Sequence, residues 1–143
     1  MNPAPYFEIV HENYKLVDYL TPNEHEASAL TNINIKTVDD ARIAGKKICE
    51  LGVGTSVITM GEKGVLCTRN SLDNEGLYLP SIKLKDRVID TVGAGDVFNG
   101  AFATAISESI NLEDSLFFAN KAASISVTKT GAALSSPYRD QIK

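Results

Sequence analysis

The sequence is poor in several residue types, and each shortage argues against a class of protein. Its 143 residues include no tryptophan, two cysteines and two histidines. Cys49 and Cys67 stand in no metal-binding or redox spacing, and two histidines are too few for a histidine-rich metal site. We therefore interpret both cysteines as small buried apolar residues with free thiols.

Excess basic charge and long apolar runs are missing as well. The formal net charge is -4, so bulk charge would attract neither nucleic acid nor an anionic membrane. No apolar run approaches the roughly 18 residues that a membrane span requires. The first residues, MNPAP, lack the charged-then-apolar layout of a signal peptide. The sequence therefore predicts a cytoplasmic protein without nucleic-acid or membrane partners.

The composition that remains is that of an ordinary globular protein. A hydrophobic fraction of 43% and a charged fraction of 22% suit a compact core, and the length suits one domain. Short apolar runs alternate with helical periods, which predicts one α/β domain over residues 1–143 with helices covering a sheet. Such sheets bind ligands beyond the carboxyl ends of their strands, near helix N-termini.

Turn residues and helix caps divide the chain into elements. Asn23 and Thr37 are followed by acidic residues that favour the first helical turn, and Asn111 is a third good N-cap. The residues 61–64 form a turn between two apolar runs, which predicts a hairpin. In chain order we predict a helix through Phe7, Val10 and Tyr14, a strand at 16–20, helices from Asn23 to about Ala29 and from Thr37 to Leu51, strands at 55–60, 65–68 and 77–79, a turn at 70–76, and helices from Gly95 to Ala105 and from Leu112 to about Thr128.

The most informative segment is the run DTVGAGDVFNG at 90–100. A predicted strand through Val88 and Ile89 leads into the small residues 93–95 and then into a helix. Small residues let backbone N–H groups converge on a ligand, and the helix start adds unpaired donors and partial positive charge. The segment therefore favours an anion site suited to a phosphate.

Asp96 stands where a carboxylate would repel a bound phosphate. General-base chemistry explains it, because a carboxylate there could accept a proton from a hydroxyl that attacks the γ-phosphate of ATP. A tight turn followed by a favourable first-turn residue explains it equally well, so the loop alone leaves both readings open. The turn is not a Walker A loop, since no Gly-Lys-Ser/Thr follows it.

Five segments in the right order resemble the ribokinase-like carbohydrate kinases over essentially the whole chain. DTVGAGD at 90–96 is similar to the C-terminal signature of that family. The other four are NPAP at 2–5, TPNEHE at 21–26, ITMGEKG at 58–64 and VTKTGAALS at 127–135. The resemblance implies a three-layer αβα fold of which this chain is the C-terminal, ATP-binding part, without the N-terminal sugar-binding half and lid.

The resemblance also implies the chemistry and the residues that carry it. The expected reaction is phosphoryl transfer from ATP to a sugar hydroxyl, with D-ribose as substrate and with Mg²⁺ and K⁺. Asp96 would deprotonate the hydroxyl, and the N–H groups of Gly93, Ala94, Gly95 and Asp96 would form an anion hole. The implied nucleotide-binding residues are Asn23, Glu26, Thr59, Gly61, Gly64, Gly95 and Asn120. The implied monovalent-cation site consists of Asp90, Val92, Ser126, Lys129, Gly131 and Ser135.

Two other interpretations stay open. The chain could be a nucleotide-binding module without kinase activity, or it could derive from a family kinase for another sugar or a nucleoside. Some of the implied residues also have a structural reading: Asn23 and Glu26 as a helix start, Asn120 as a surface residue, and Lys129 as a solvated charge. A sheet without its N-terminal strands would have an open edge, which predicts a homo-oligomer.

Overall fold

The computed structural model describes residues 1–6, 10–70, 75–83 and 87–142. Contacts between residues divide the chain into two compact units, Met1–Tyr78 and Leu79–Lys143. The expectation of one domain over residues 1–143 stays a prediction.

The first unit is a four-stranded mixed sheet with two α-helices. The strand order is β1-β2-β3-β4, with β1 parallel to β2 and β2 antiparallel to β3. This arrangement confirms the predicted α/β class and the predicted hairpin. The elements are a 3-10 helix at His11–Leu16, β1 at Tyr19–Leu20, α1 at Glu24–Thr31, α2 at Val38–Glu50, β2 at Thr55–Thr59, a 3-10 helix at Gly61–Lys63, β3 at Val65–Arg69 and β4 at Leu77–Leu79.

Both α-helices of the first unit begin at the predicted caps. The Asn23 side chain accepts a hydrogen bond from the Glu26 N–H, and the Glu26 carboxylate accepts one from the Asn23 N–H, both at 2.9 Å. Thr37 and Asp40 form a second reciprocal box at the start of α2. Each box satisfies two N–H groups that a helix start otherwise leaves unpaired, so the caps fix where α1 and α2 begin.

Helix α2 covers β2 and β3 with one apolar face. Its buried residues recur at helical spacing, at Ala41, Ala44, Gly45, Ile48 and Cys49. Cys67 on β3 is also buried, and burial raises the pKa of its thiol to about 12. Both cysteines are free and buried, as predicted from the sequence.

The second unit is built on a pair of packed α-helices. Phe98 and Phe102 stack with ring centroids 6.0 Å apart on one helix, and Leu116 and Ala119 are fully buried on the other. The Asn111 side chain accepts from the Asp114 N–H at 2.9 Å, which confirms the third predicted cap. The elements are α3 at Ala94–Ser107, α4 at Leu112–Ser126 and a 3-10 helix at Arg139–Ile142.

One predicted strand is absent, a second is shorter than predicted, and a 3-10 helix stands in place of one predicted helix. The strand expected at 16–20 shrinks to β1, because the 3-10 helix that replaces the first predicted amphipathic helix continues through Leu16. Residues 87–93, which lead to the turn at Gly93, form no strand. There the N–H groups of Ile89 and Asp90 converge on the carbonyl of Val127, at 2.8 and 3.2 Å, so no ladder forms. Phe7 and most of the turn predicted at 70–76 lie outside the described residues.

The outer side of β1 contacts the first residue of the chain. The Met1 nitrogen donates to the Tyr19 carbonyl, and the Met1 carbonyl accepts from the Thr21 N–H at 2.9 Å. Met1 thus lies beside Leu20 in the register of a parallel strand. Homo-oligomer formation through this edge stays a prediction. Among the residues that the structure describes, no helix has both the length and the apolar character to cross a membrane.

We predict opposite effects for alanine at two helix-interior glycines. A Cβ at Gly45 would lie 2.4 Å from the hydroxyl oxygen of the buried Thr68, so Gly45→Ala should destabilise the protein by about 1–3 kcal/mol. A Cβ at Gly100 on α3 meets nothing within 4 Å, so Gly100→Ala should leave stability unchanged or raise it by about 0.5–1 kcal/mol. Urea unfolding of the two variants checks this, and an equal loss in both would contradict the close packing of α2 on β3.

Candidate active site

The turn before α3 can be built only with glycine at its centre. Gly93 is the residue that precedes the helix, and its φ of 78° is left-handed. A Cβ on Gly93 would lie 2.8 Å from the Cβ of Ala132, in the segment that follows α4. Any side chain at this position would therefore meet both a backbone penalty and a steric clash, and the turn and the segment after α4 pack directly on each other.

Backbone donors are left unpaired at this helix start. Gly93 offers no side chain to cap α3. Ala94 N–H donates to the Thr91 carbonyl at 3.3 Å, and Val97 N–H donates to the Gly93 carbonyl at 2.9 Å. In the described part of the chain, no hydrogen bond is made by the N–H groups of Gly93, Gly95 and Asp96. These three groups and the positive end of α3 would suit an anion, whereas the Ala94 N–H, the fourth predicted donor, is already paired with Thr91. The anion hole itself stays a prediction.

Asp96 lies in the first turn of α3, exposed to solvent and at the edge of a cavity. The cavity has a volume of about 540 Å³. Its walls include Gly93, Gly100 of α3, Phe118 of α4 and residues between Ala132 and Ile142. The carboxylate and the unpaired N–H groups therefore share one end of α3, beside a space of the size of a small ligand.

The Asp90 carboxylate joins the glycine turn to the segment after α4. One oxygen accepts from the Val92 N–H at 2.9 Å, and the other accepts from the Gly131 N–H at 3.0 Å. These two backbone hydrogen bonds stabilise the ionised form and lower the pKa of Asp90 below its ordinary value of 3.8. Asp90 thus brings together three of the residues predicted for the cation site.

The other residues predicted for the cation site lie at the end of α4 and in the segment that follows it. Ser126 and Ser135 are buried, and their hydroxyls donate at 2.8 Å to the carbonyls of Ala123 and Ala132. Lys129 N–H donates to the Ser126 carbonyl at 3.1 Å. Over the described ranges, no group of three or more His, Cys, Asp or Glu side chains could hold a metal. The predicted cation set uses mostly carbonyl oxygens, so it stays a prediction.

The predicted nucleotide residues of the first unit meet where β1 and β2 end. Asn23 forms a parallel bridge with Thr59, and the Thr59 N–H donates to the Pro22 carbonyl at 3.0 Å. The next turn is closed by a 2.8 Å bond from the Met60 N–H to the carbonyl of Gly64, whose φ is 99°. Asn23 and Glu26, which form an Asn-x-x-Glu motif, and the turn at Gly61–Gly64 are therefore neighbours at the carboxyl end of the sheet, the edge at which α/β sheets bind ligands.

Sequence reasoning missed two residues that fix this turn. The Lys63 ammonium lies 2.7 Å from a carboxylate oxygen of Glu24, and the Tyr78 hydroxyl donates to the Lys63 carbonyl at 2.7 Å. Both contacts join residues far apart in sequence, and no motif or spacing signals them.

Asn120 is a structural residue in this fold. It is buried rather than at the surface, and its side-chain amide donates to the Pro80 carbonyl at 2.8 Å. The contact fastens the segment after β4 to α4. The predicted role of Asn120 near the adenine stays a prediction.

We predict that replacing Asp90 removes a pH-dependent contribution to stability. Because the folded-state pKa of Asp90 is lowered, its contribution is present above 3.8 and is lost as the pH falls below that value. Asp90→Asn should therefore lower the urea midpoint near neutral pH, and its difference from the wild type should shrink below about pH 4. Asp140→Asn, in the last 3-10 helix, is the control. A difference between wild type and Asp90→Asn that is equally large at both pH values would contradict this assignment.

Comparisons with known proteins show the family of the chain. The profile of the pfkB family carbohydrate kinases matches residues 1–139. Ribokinase from Haemophilus influenzae is 37% identical over 143 residues, a match that covers 99% of this chain and 44% of the relative. This chain therefore spans less than half the length of that relative.

Solved structures give the same family. Ribokinase from Thermotoga maritima is 42% identical with a TM-score of 0.86, and the match covers 99% of this chain and 46% of that one. Arabidopsis thaliana ribokinase, complexed with ribose and ATP, is 35% identical with a TM-score of 0.86, covering 94% and 42%. Escherichia coli phosphofructokinase-2, in complex with potassium, is 26% identical with a TM-score of 0.73, covering 87% and 38%. The chain belongs to the pfkB family of carbohydrate kinases and is a kinase by origin.

Proposed function

We propose that this chain carries the ATP-binding and catalytic part of a kinase that phosphorylates a small sugar, most specifically D-ribose. Family membership supports phosphoryl transfer to a carbohydrate. The ribose and ATP complex of the Arabidopsis relative supports the substrate pair. We also propose that the protein acts in the cytoplasm and binds neither nucleic acid nor membrane.

The observation that carries the proposal is the position of Asp96 beside unpaired backbone donors. The carboxylate would accept the proton of the attacking sugar hydroxyl. Loss of that proton makes the hydroxyl oxygen more nucleophilic as its bond to phosphorus forms. The N–H groups of Gly93, Gly95 and Asp96 would stabilise the charge on the transferring phosphoryl group. Because these donors are fixed by a glycine turn, they would need little reorganisation during the reaction.

The residues at the ends of β1 and β2 would bind the nucleotide and its Mg²⁺. Thr59, Gly61 and Gly64 would contact the nucleotide, and Asn23 and Glu26 would lie near its phosphates. One Glu26 oxygen accepts from the Asn23 N–H, which leaves the second oxygen for a water that binds Mg²⁺. Bound Mg²⁺ would neutralise charge on the β- and γ-phosphates.

The match covers 44% of the Haemophilus relative. Catalysis by these 143 residues alone is therefore a separate part of the proposal. The same coverage favours a second candidate, a nucleotide-binding protein that does not turn over. The candidates differ in whether a sugar stimulates ADP release. A third possibility, another sugar or a nucleoside as acceptor, differs only in which compound does so.

We predict that Asp96→Asn abolishes ribose-dependent ADP release and leaves nucleotide affinity unchanged. The amide cannot act as a base, and loss of a general base costs about 100- to 10,000-fold in rate. The assay contains the chain, MgATP, K⁺ and D-ribose, and calorimetry measures MgADP affinity. Asp140→Asn is the control, since its side chain lies in the last 3-10 helix rather than in the first turn of α3.

Each result decides between the candidates. Ribose-dependent release that disappears in Asp96→Asn supports the kinase. Nucleotide binding without release by any sugar supports the nucleotide-binding protein. Release that survives Asp96→Asn would contradict Asp96 as the base.

We further predict a selective response to K⁺. The oxygens assigned to the cation site are mostly carbonyls, which suit a large hard cation, and a family member was solved in complex with potassium. K⁺ should raise the thermal unfolding midpoint more than Na⁺ at equal concentration, with choline chloride as the control for ionic strength. Equal midpoints in K⁺ and Na⁺ would argue against a selective site at Asp90 and Ser135.

A further inference from the structure

Backbone contacts join the two groups of predicted nucleotide residues of the first unit where β1 and β2 end. Asn23 and Thr59 form a bridge, and the chain then diverges into α1 and into the turn that contains Gly61 and Gly64. Gly61 has a φ of 52°, and a Cβ there would meet nothing within 4 Å. Backbone hydrogen bonds close the turn itself, and a side-chain contact also joins the turn to the start of α1.

Lys63 supplies that contact. Its ammonium lies 2.7 Å from Glu24 in the first turn of α1, and the two side chains are 40% and 24% exposed. Its carbonyl accepts from the Tyr78 hydroxyl at 2.7 Å, so the residue is held at its side chain and at its backbone. The hydrogen bond to Glu24 raises the pKa of Lys63, which agrees with a charged pair.

The charge of Lys63 also has an electrostatic consequence. Glu24 precedes Glu26 by two residues in the same helical turn, beside the expected path of the ATP phosphates. An unpaired carboxylate at Glu24 would repel those phosphates. The ammonium compensates this charge and leaves the positive end of α1 available to an anion.

We propose that Lys63 is a positioning residue for the nucleotide, which holds the turn at Gly61–Gly64 against the start of α1 through its ion pair with Glu24. This inference rests on the proposed function, because it assumes that the turn and the Asn-x-x-Glu motif bind one nucleotide. Lys63 acts through Glu24 and needs no direct contact with the ligand.

The test compares MgADP binding by calorimetry in the wild type, Lys63→Met, and the reversed pair Lys63→Glu with Glu24→Lys. Lys63→Met should weaken MgADP binding by about fivefold, the size expected of one surface ion pair. The reversed pair should recover affinity to within about twofold, because the bridge is restored with the opposite polarity. Arg42→Met is the control, since it removes an ion pair with Asp39 on α2 and a hydrogen bond to the Glu75 carbonyl in the same unit.

A purely structural role is separated by two further readouts. The urea midpoint of Lys63→Met should be too close to that of the wild type for unfolding to explain the loss of MgADP affinity. The ratio of ADP affinities with Mg²⁺ and with EDTA should fall in that variant, because the turn and the Asn23–Glu26 motif would no longer be held in one geometry.

The outcomes distinguish this inference from the proposed function. Wild-type affinity in Lys63→Met, an unchanged Mg²⁺ ratio, or no recovery in the reversed pair would overturn the role of Lys63 while leaving a nucleotide-binding protein. A wild type that binds no MgADP would overturn the proposed function, and the positioning role with it.

Discussion

The second unit depends on one carboxylate that holds two loops together. Asp90 accepts from the Val92 N–H just before the glycine turn and from the Gly131 N–H just after α4. This fixes the segment on which Gly93 packs, where a side chain would meet Ala132 at 2.8 Å. The turn can then leave the N–H groups of Gly93, Gly95 and Asp96 unpaired, because its shape is set by contacts on either side and needs no side-chain cap.

The first unit reaches a comparable arrangement with different contacts. Its capping box sets where α1 begins, and the bridge from Asn23 to Thr59 places that helix start beside the end of β2. Glu26 therefore has a structural role, since one of its oxygens caps the helix, and the proposed Mg²⁺ water would use its other oxygen. The helix start and the proposed nucleotide site are the same physical feature, which is why either reading of Asn23 and Glu26 was reasonable from sequence.

Local rules predicted most of the fold. The three caps at Asn23, Thr37 and Asn111, the apolar face of α2 and the β2–β3 hairpin are set by neighbours within a few residues, and all are confirmed. The strand expected before the glycine turn fails because Ile89 and Asp90 bond to the distant Val127 carbonyl.

In the candidate site, too, local patterns predicted the turn but not the contacts between distant residues. The turn at 93–96 follows from its glycines, and the structure supports its shape. The pairing of Asp90 with Gly131, the burial of Asn120 against Pro80 and the Lys63–Glu24 ion pair are contacts between distant residues, which no local pattern encodes.

The most direct test of the account follows backbone amide resonances of the labelled chain. MgADP, aluminium fluoride and D-ribose would be added as a mimic of the transferring phosphoryl group. We predict that the amide resonances of Gly93, Gly95 and Asp96 shift when the mimic is added. Shifts at Gly61 and Gly64 that saturate while Gly93, Gly95 and Asp96 do not move would contradict the anion hole at the start of α3.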